Sequence, residues 1–197
     1  MAFAVVAALP PPAELDAITL RRAQRGEPDA WRALIDCYQT RVVAYVGRVL
    51  GQARRDRVDD VAQETFLHVV RGLPSFTAAG PARLSTWILT IATRRAIDAM
   101  RDTSRRAGGT SDPATLAVIV DPRAGADRRA GLAAAIDAAM QALPTEHRAA
   151  FVLHELHGLD DAEIASMLGI APGTVRTRLF RARAALRIAL AEEQSDV

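Results

Sequence analysis

No part of this chain alternates apolar and polar residues for long enough to build a sheet; in segment after segment the apolar positions recur at three- and four-residue intervals. That spacing confines the fold to packed helices. From Trp31 the series Leu34, Ile35, Tyr38, Val42, Tyr45, Val46 and Val49 predicts one buried face on a helix ending near Gly51. A second helix is expected from about Val58 to Arg71. Pro74, Gly80 and Pro81 then interrupt the pattern, and Ser85 is the expected N-cap of a third helix carrying Leu84, Trp87, Ile88, Ile91 and Met100. Beyond these, Leu132 to Leu143 reads as a helix stopped by Pro144, and Ala149 to His154 as another stopped at Gly158. Asp160 to Glu163 has the layout of a capping box, opening a helix that ends at Leu168 and Gly169. Pro172 opens a long last helix, at a first-turn position where its missing N–H costs nothing.

The pattern divides into an all-α chain of two small helical domains. Residues 1–18, with Pro10, Pro11 and Pro12, read as a flexible or loosely docked extension, followed by a first domain over 19–103. Residues 104–130 are rich in Gly, Ser, Asp, Pro and Arg and read as a flexible linker. Within it the apolar run Leu116 to Val120 would make a strand without a partner. The second domain then covers 131–197. Half the residues are hydrophobic, which excludes wholesale disorder. Cys37 is the only cysteine, so a disulfide scaffold is excluded, and it sits in a helical stretch as a small hydrophobe would. The opening AFAVVAAL is too short to span a bilayer, and no membrane insertion is expected. No nucleophile triad, phosphate loop or two-metal carboxylate set is visible, so neither an enzyme nor a cofactor is expected.

Charge is informative through its distribution. All 25 basic residues are arginine, and they nearly balance 23 acids. From Pro172 to Leu190, however, Arg176, Arg178, Arg181, Arg183 and Arg187 occur with no acid among them. Two helices separated by Gly169, Ile170 and Ala171, with Ile164, Leu168, Val175 and Leu179 facing inward, are the layout of a helix-turn-helix. On the last helix Val175, Leu179, Ala182, Leu186 and Leu190 share the inner face. Arg176, Thr177, Phe180 and Arg181 are then free to reach base edges in a major groove, with Thr174 and Arg178 suited to phosphates. Arg183 and Arg187 lie nearer the core side, where a phosphate or an internal acid is the expected partner. A plain solvated helix would intersperse glutamates among such arginines.

RVDDVAQETFLHVVRGLPSF at Arg57 to Phe76, followed by LSTWILTIATRRAIDAMR at Leu84 to Arg101, resembles the second conserved region of bacterial sigma factors. The C-terminal segment resembles their fourth region. With no third region between them, the chain is similar to the extracytoplasmic-function (ECF) group. The resemblance implies that Asp59, Asp60, Gln63, Glu64 and Phe66 dock on core RNA polymerase. It further implies that Pro74 to Ser85 and Trp87 to Arg95 capture the melted minus-ten strand of promoter DNA, with Phe76, Arg94 and Arg95 as candidate contacts and Trp87 more in keeping with the core. The C-terminal helix-turn-helix would read the minus-thirty-five element in duplex form. An anti-sigma factor that clamps both domains is implied as a further partner, and the cytoplasm as the place of action.

Two departures qualify the likeness. Housekeeping members place paired tryptophans where Thr90 and Ile91 stand, which implies a weaker melting wedge and stricter promoter choice. Ala171 replaces the Ser or Thr expected before the recognition helix, which removes one cap. His147, His154 and His157 would share a helix face if one helix ran on through Gly158, and a solvated or backbone-paired cluster is the expected state. A stand-alone helix-turn-helix regulator is the main rival reading, and a protein-binding adaptor a third. The regulator would leave DDVAQETF unexplained.

Overall fold

The computed structural model describes residues 14–77, 80, 83–106 and 127–195. Among them it contains eight α-helices and no strand: α1 (Ala17–Gln24), α2 (Pro28–Leu50), α3 (Val58–Gly72), α4 (Leu84–Arg106), α5 (Asp127–Ala142), α6 (Thr145–Glu155), α7 (Asp161–Leu168) and α8 (Pro172–Ser195). Short 3-10 turns, Gln52–Arg57 and Leu73–Ser75, follow α2 and α3. The run Leu116 to Val120 lies outside the described residues. Residues 104–106 continue α4 and 127–130 open α5, so helix reaches into both ends of the stretch read as linker.

The N-terminal module packs α1, α3 and α4 around α2. Leu34, Tyr38, Val42, Tyr45, Val46 and Val49 are all fully buried, as the spacing predicts. Pro28 starts α2 one turn before the first expected apolar position, and Gly51 ends it with φ of +77°, a left-handed value that a side chain rarely adopts. The Tyr45 hydroxyl hydrogen-bonds Thr93 Oγ1 at 2.8 Å, which answers the polarity of a ring sealed in the core.

Two local expectations are corrected. Residues 14–18 are not a loose extension: the Asp16 carboxylate accepts from the Ile18 and Thr19 amides at 2.9 Å and caps α1, which buries Leu20 and Ala23. Ser85 is not the cap of α4, which already begins at Leu84; it is buried in the first turn, and its hydroxyl donates to Glu14.

The C-terminal module packs α5, α6 and α7 on α8. The capping box forms as read: Asp160 Oδ1 accepts from the Ala162 and Glu163 amides at 2.8 Å, and Glu163 Oε2 accepts from the Asp160 amide at 3.0 Å. Val175, Leu179, Ala182 and Leu186 are buried, whereas the side chain of Leu190 lies outside the described residues.

The two modules are packed against each other, α6 on α2 and α4, and α7 on α4. Arg148, only 3 % exposed, crosses the junction: Nη1 donates to the Val49 carbonyl and Gln141 Oε1, both at 2.8 Å, and Nη2 to the Gln141 and Leu143 carbonyls at 2.7 and 3.1 Å. All four acceptors are neutral, and desolvation pulls the guanidinium pKa down to about 10, leaving it charged at neutral pH. The Gln141 side chain lies so close to Gly51 that a Cβ there would collide with it. Tyr45 and His157 meet edge to face, ring centroids 5.4 Å apart.

Candidate nucleic-acid and core-enzyme interfaces

The helix-turn-helix is built by termination chemistry. Gly169 closes α7 in the left-handed conformation (φ 65°, ψ 38°), Ile170 packs back on the core, and Pro172 starts α8. Burial of Val175, Leu179, Ala182 and Leu186 fixes the roll of α8. Thr174, Arg176, Thr177, Phe180 and Arg181 are consequently exposed, and Arg178 is half-exposed. Phe180 is 73 % exposed, a large apolar ring left in water on the same helix as the exposed Arg176 and Arg181. Thr177 donates back to the Gly173 carbonyl at 3.0 Å. Arg183 turns instead to an internal acid, with Nε and Nη2 on Glu155 Oε1 at 3.0 and 2.6 Å. Arg187 is exposed, not on the core side. His147 is pushed below its ordinary pKa by burial and then by Arg178 and Arg181, so α6 begins beside the basic surface.

On the other module, α3 buries Val61, Ala62, Thr65 and Val69 and leaves Asp59, Asp60, Gln63 and Glu64 exposed. Phe66 does not join them fully: it is half-buried against the core. Leu67 and Val70, which are not among the residues expected from the sequence, continue the exposed face and are 55 % and 43 % exposed. Leu67 follows Gln63 by four residues and Glu64 by three, and Val70 follows Leu67 by three, so they lie along one side of the helix, off the buried stripe.

At the far end of α3, Phe76 and Trp87 pack as a tilted pair, centroids 5.1 Å apart at 41°. Trp87 is half-buried, resting on the core and on Gly72, where a Cβ would come within 2.9 Å of its ring. Arg94 is exposed on α4, and Arg95 is half-exposed and paired with Asp98 at 2.8 Å. A cleft of about 540 Å³ lies between the modules, bordered by Arg48, Arg55, Asp59, Asp137, Met140 and Gln141.

Comparison with known proteins matches the family described as "Sigma-70 region 2" over residues 34–106 and "Sigma-70, region 4" over residues 133–186. The ECF RNA polymerase sigma-E factor of Escherichia coli (strain K12) is 30% identical over 190 residues, covering 87% of this chain and 92% of its own. This chain is an ECF sigma factor of the sigma-70 family. The ECF RNA polymerase sigma factor SigE of Mycolicibacterium smegmatis is 31% identical over 177 residues, covering 85% of this chain and 64% of that one. Among solved structures, CnrH in complex with the cytosolic domain of CnrY shares 25% identity and a TM-score of 0.59 over 89% of this chain and 96% of that one. The fold also matches the sigma factor RpoE in complex with the anti-sigma factor NepR from Bartonella quintana, with a TM-score of 0.62 at 22% identity over 81% of this chain and 96% of that one.

Within this sigma factor, Thr90 and Ile91 are both half-buried, and Thr90 donates to the Thr86 carbonyl at 2.8 Å. The three histidines do not share a helix. α6 ends at Glu155, and His157 lies in the following turn, its two ring nitrogens sealed from water and lacking any hydrogen-bond partner. It is therefore neither solvated nor backbone-paired, and no group of three or more potential metal-binding side chains forms among the described residues. Cys37 is exposed on α2 rather than packed as a hydrophobe, and its thiol is pushed up in pKa, chiefly by desolvation, away from the reactive thiolate. No described helix is long and apolar enough to cross a membrane.

Proposed function

We propose that this sigma factor docks on core RNA polymerase through the outer face of α3, with Asp59, Asp60, Gln63 and Glu64 joined by Leu67 and Val70. Its α8 reads the minus-thirty-five duplex through Arg176, Thr177, Phe180 and Arg181, while Thr174 and Arg178 hold phosphates. Phe76, Arg94 and Arg95, beside Trp87, take the melted minus-ten strand. The observation that carries this reading is α8 itself, which buries one apolar face completely and turns an acid-free row of arginines and an exposed aromatic outward. The relatives solved with NepR and CnrY support an anti-sigma partner here as well.

Reading both elements requires the modules to part. Elements about 25 base pairs apart are separated by about 85 Å of duplex, whereas a folded chain of 197 residues is roughly 40 Å across. The packed arrangement is the unengaged form. In vitro transcription with core polymerase on a randomised promoter library tests the reading: the wild-type chain selects a two-element promoter, and Arg176→Ala with Arg181→Ala loses selection at the upstream element alone. Unchanged transcription starts on adding the chain would overturn it.

A further inference from the structure

Both ends of the minus-ten aromatic pair are anchored by one short stretch, Glu14 to Gln24, that precedes the region 2 match. Gln24 Nε2, from the last residue of α1, donates to the Leu73 and Phe76 carbonyls at 3.1 and 2.7 Å. It thus fixes the turn from which the Phe76 ring projects onto Trp87. At the other side, the Glu14 carboxylate accepts from the Ser85 hydroxyl, two residues before Trp87, and from the Tyr38 hydroxyl at 3.1 Å. The Ser85 amide lies 3.4 Å from the same carboxylate. Tyr38, fully buried in α2, in turn accepts from the Leu15 amide at 3.0 Å, so the strap is pinned to the core and not merely laid over it. Asp16 then caps α1 and sets where Gln24 arrives.

We infer that Glu14 and Gln24 are positioning residues for minus-ten capture, holding Phe76 and Trp87 at the mutual tilt that a melted base meets. The inference rests on the proposed role of that pair. The hydrogen-bond directions make it specific. Gln24 acts only as a donor to two carbonyls, and Glu14 only as an acceptor from two hydroxyls and an amide. Removing Gln24 leaves the Phe76 carbonyl without this donor, and removing Glu14 frees the first turn of α4.

The test uses holoenzyme assembled from the full chain and core polymerase, with a single-stranded DNA library randomised across the minus-ten positions as the probe. Affinity and base preference are read together. Gln24→Glu, which keeps the shape but presents an acceptor to two carbonyls, is expected to weaken capture by about fivefold or more and to flatten base preference. Gln24→Lys, which restores a donor, recovers part of both. Glu14→Ala behaves like Gln24→Glu, and Glu14→Gln, which retains an acceptor oxygen, recovers part. Core affinity and the melting temperature of the free chain serve as controls for folding. If wild-type holoenzyme captures the library selectively and the four variants match it, the positioning role is wrong. If Gln24→Lys and Glu14→Gln lose as much as Gln24→Glu and Glu14→Ala, the strap is structural only and the inference also fails. If wild-type holoenzyme shows no preference, the failure lies in the proposed minus-ten reading itself.

Discussion

Acidification should loosen this sigma factor through His157. Its ring lies against Tyr45 at the junction of the modules, both nitrogens closed off from water, and burial pulls its pKa down to about 4, with Arg41 and Arg48 adding to the effect. The sign follows from which state holds the proton more tightly. An unfolded chain takes up the proton near 6.5, the folded chain only near 4, so stability is complete above the first value and falls as pH drops toward the second. Across the whole window the difference is worth roughly 3 kcal/mol, of which about 2 kcal/mol is already exerted at pH 5. Urea unfolding at pH 7 and pH 5 measures it, with His157→Phe as the comparison. Phenylalanine keeps a ring edge on Tyr45 and removes both unpartnered nitrogens. The variant should match or exceed the wild type at pH 7, since an unsatisfied buried polar group costs about 1–3 kcal/mol, and should lose about 2 kcal/mol less on acidification. Carboxylates such as Asp16 and Glu27, whose pKa values are lowered in the fold, also destabilise it in acid, but they do so equally in both proteins. Parallel pH profiles for the two proteins would refute the reasoning.

Arg148→Met should remove the donor to Val49, Gln141 and Leu143 and cost about 2–4 kcal/mol in chemical denaturation, with a larger radius by small-angle scattering as the modules separate. Asp160→Ala should lower the unfolding free energy by about 1 kcal/mol, because two amides at the start of α7 lose their acceptor. Gly72→Ala should displace the Trp87 ring, read as a shift in tryptophan fluorescence, while leaving the affinity for a minus-thirty-five duplex on holoenzyme unchanged.

What was legible in the sequence was what apolar periodicity encodes. The buried faces of α2 and α8 follow from it, with Trp31 and Ile35 only half-buried at the start of α2, and the capping box and Pro172 follow from local chemistry that needs no tertiary partner. Helix α1 was missed because eight residues with only Leu20 and Ala23 buried give no measurable period. Ser85 reads as a cap because a hydroxyl near a helix start usually is one; here Glu14, 71 residues away, claims it. The exposed α8 residues were legible as the complement of the buried ones. Leu67 and Val70 were not, since an apolar residue on a helix reads as core until the neighbouring helices are placed. The contact between modules was also invisible, because Arg148, Gln141 and His157 are polar and an apolar period does not say which module a buried face meets.

The chemistry of that contact bears on how the modules can part. An apolar seam would expose hydrocarbon on opening and resist it in proportion to area. Here a guanidinium on four neutral oxygens, an amide lying on a glycine, the Arg101–Glu146 pair at 3.4 Å and an aromatic edge sit beside apolar side chains that form one continuous core through both modules. Water can satisfy each of the polar groups once the seam opens, and Arg148 regains the solvation that burial withholds, as its lowered pKa records. Opening therefore costs the apolar burial shared across the seam, while the polar groups there exchange their partners for water. A partner that binds the exposed face of α3 or of α8 parts the modules only if it binds the open form more tightly by at least that cost.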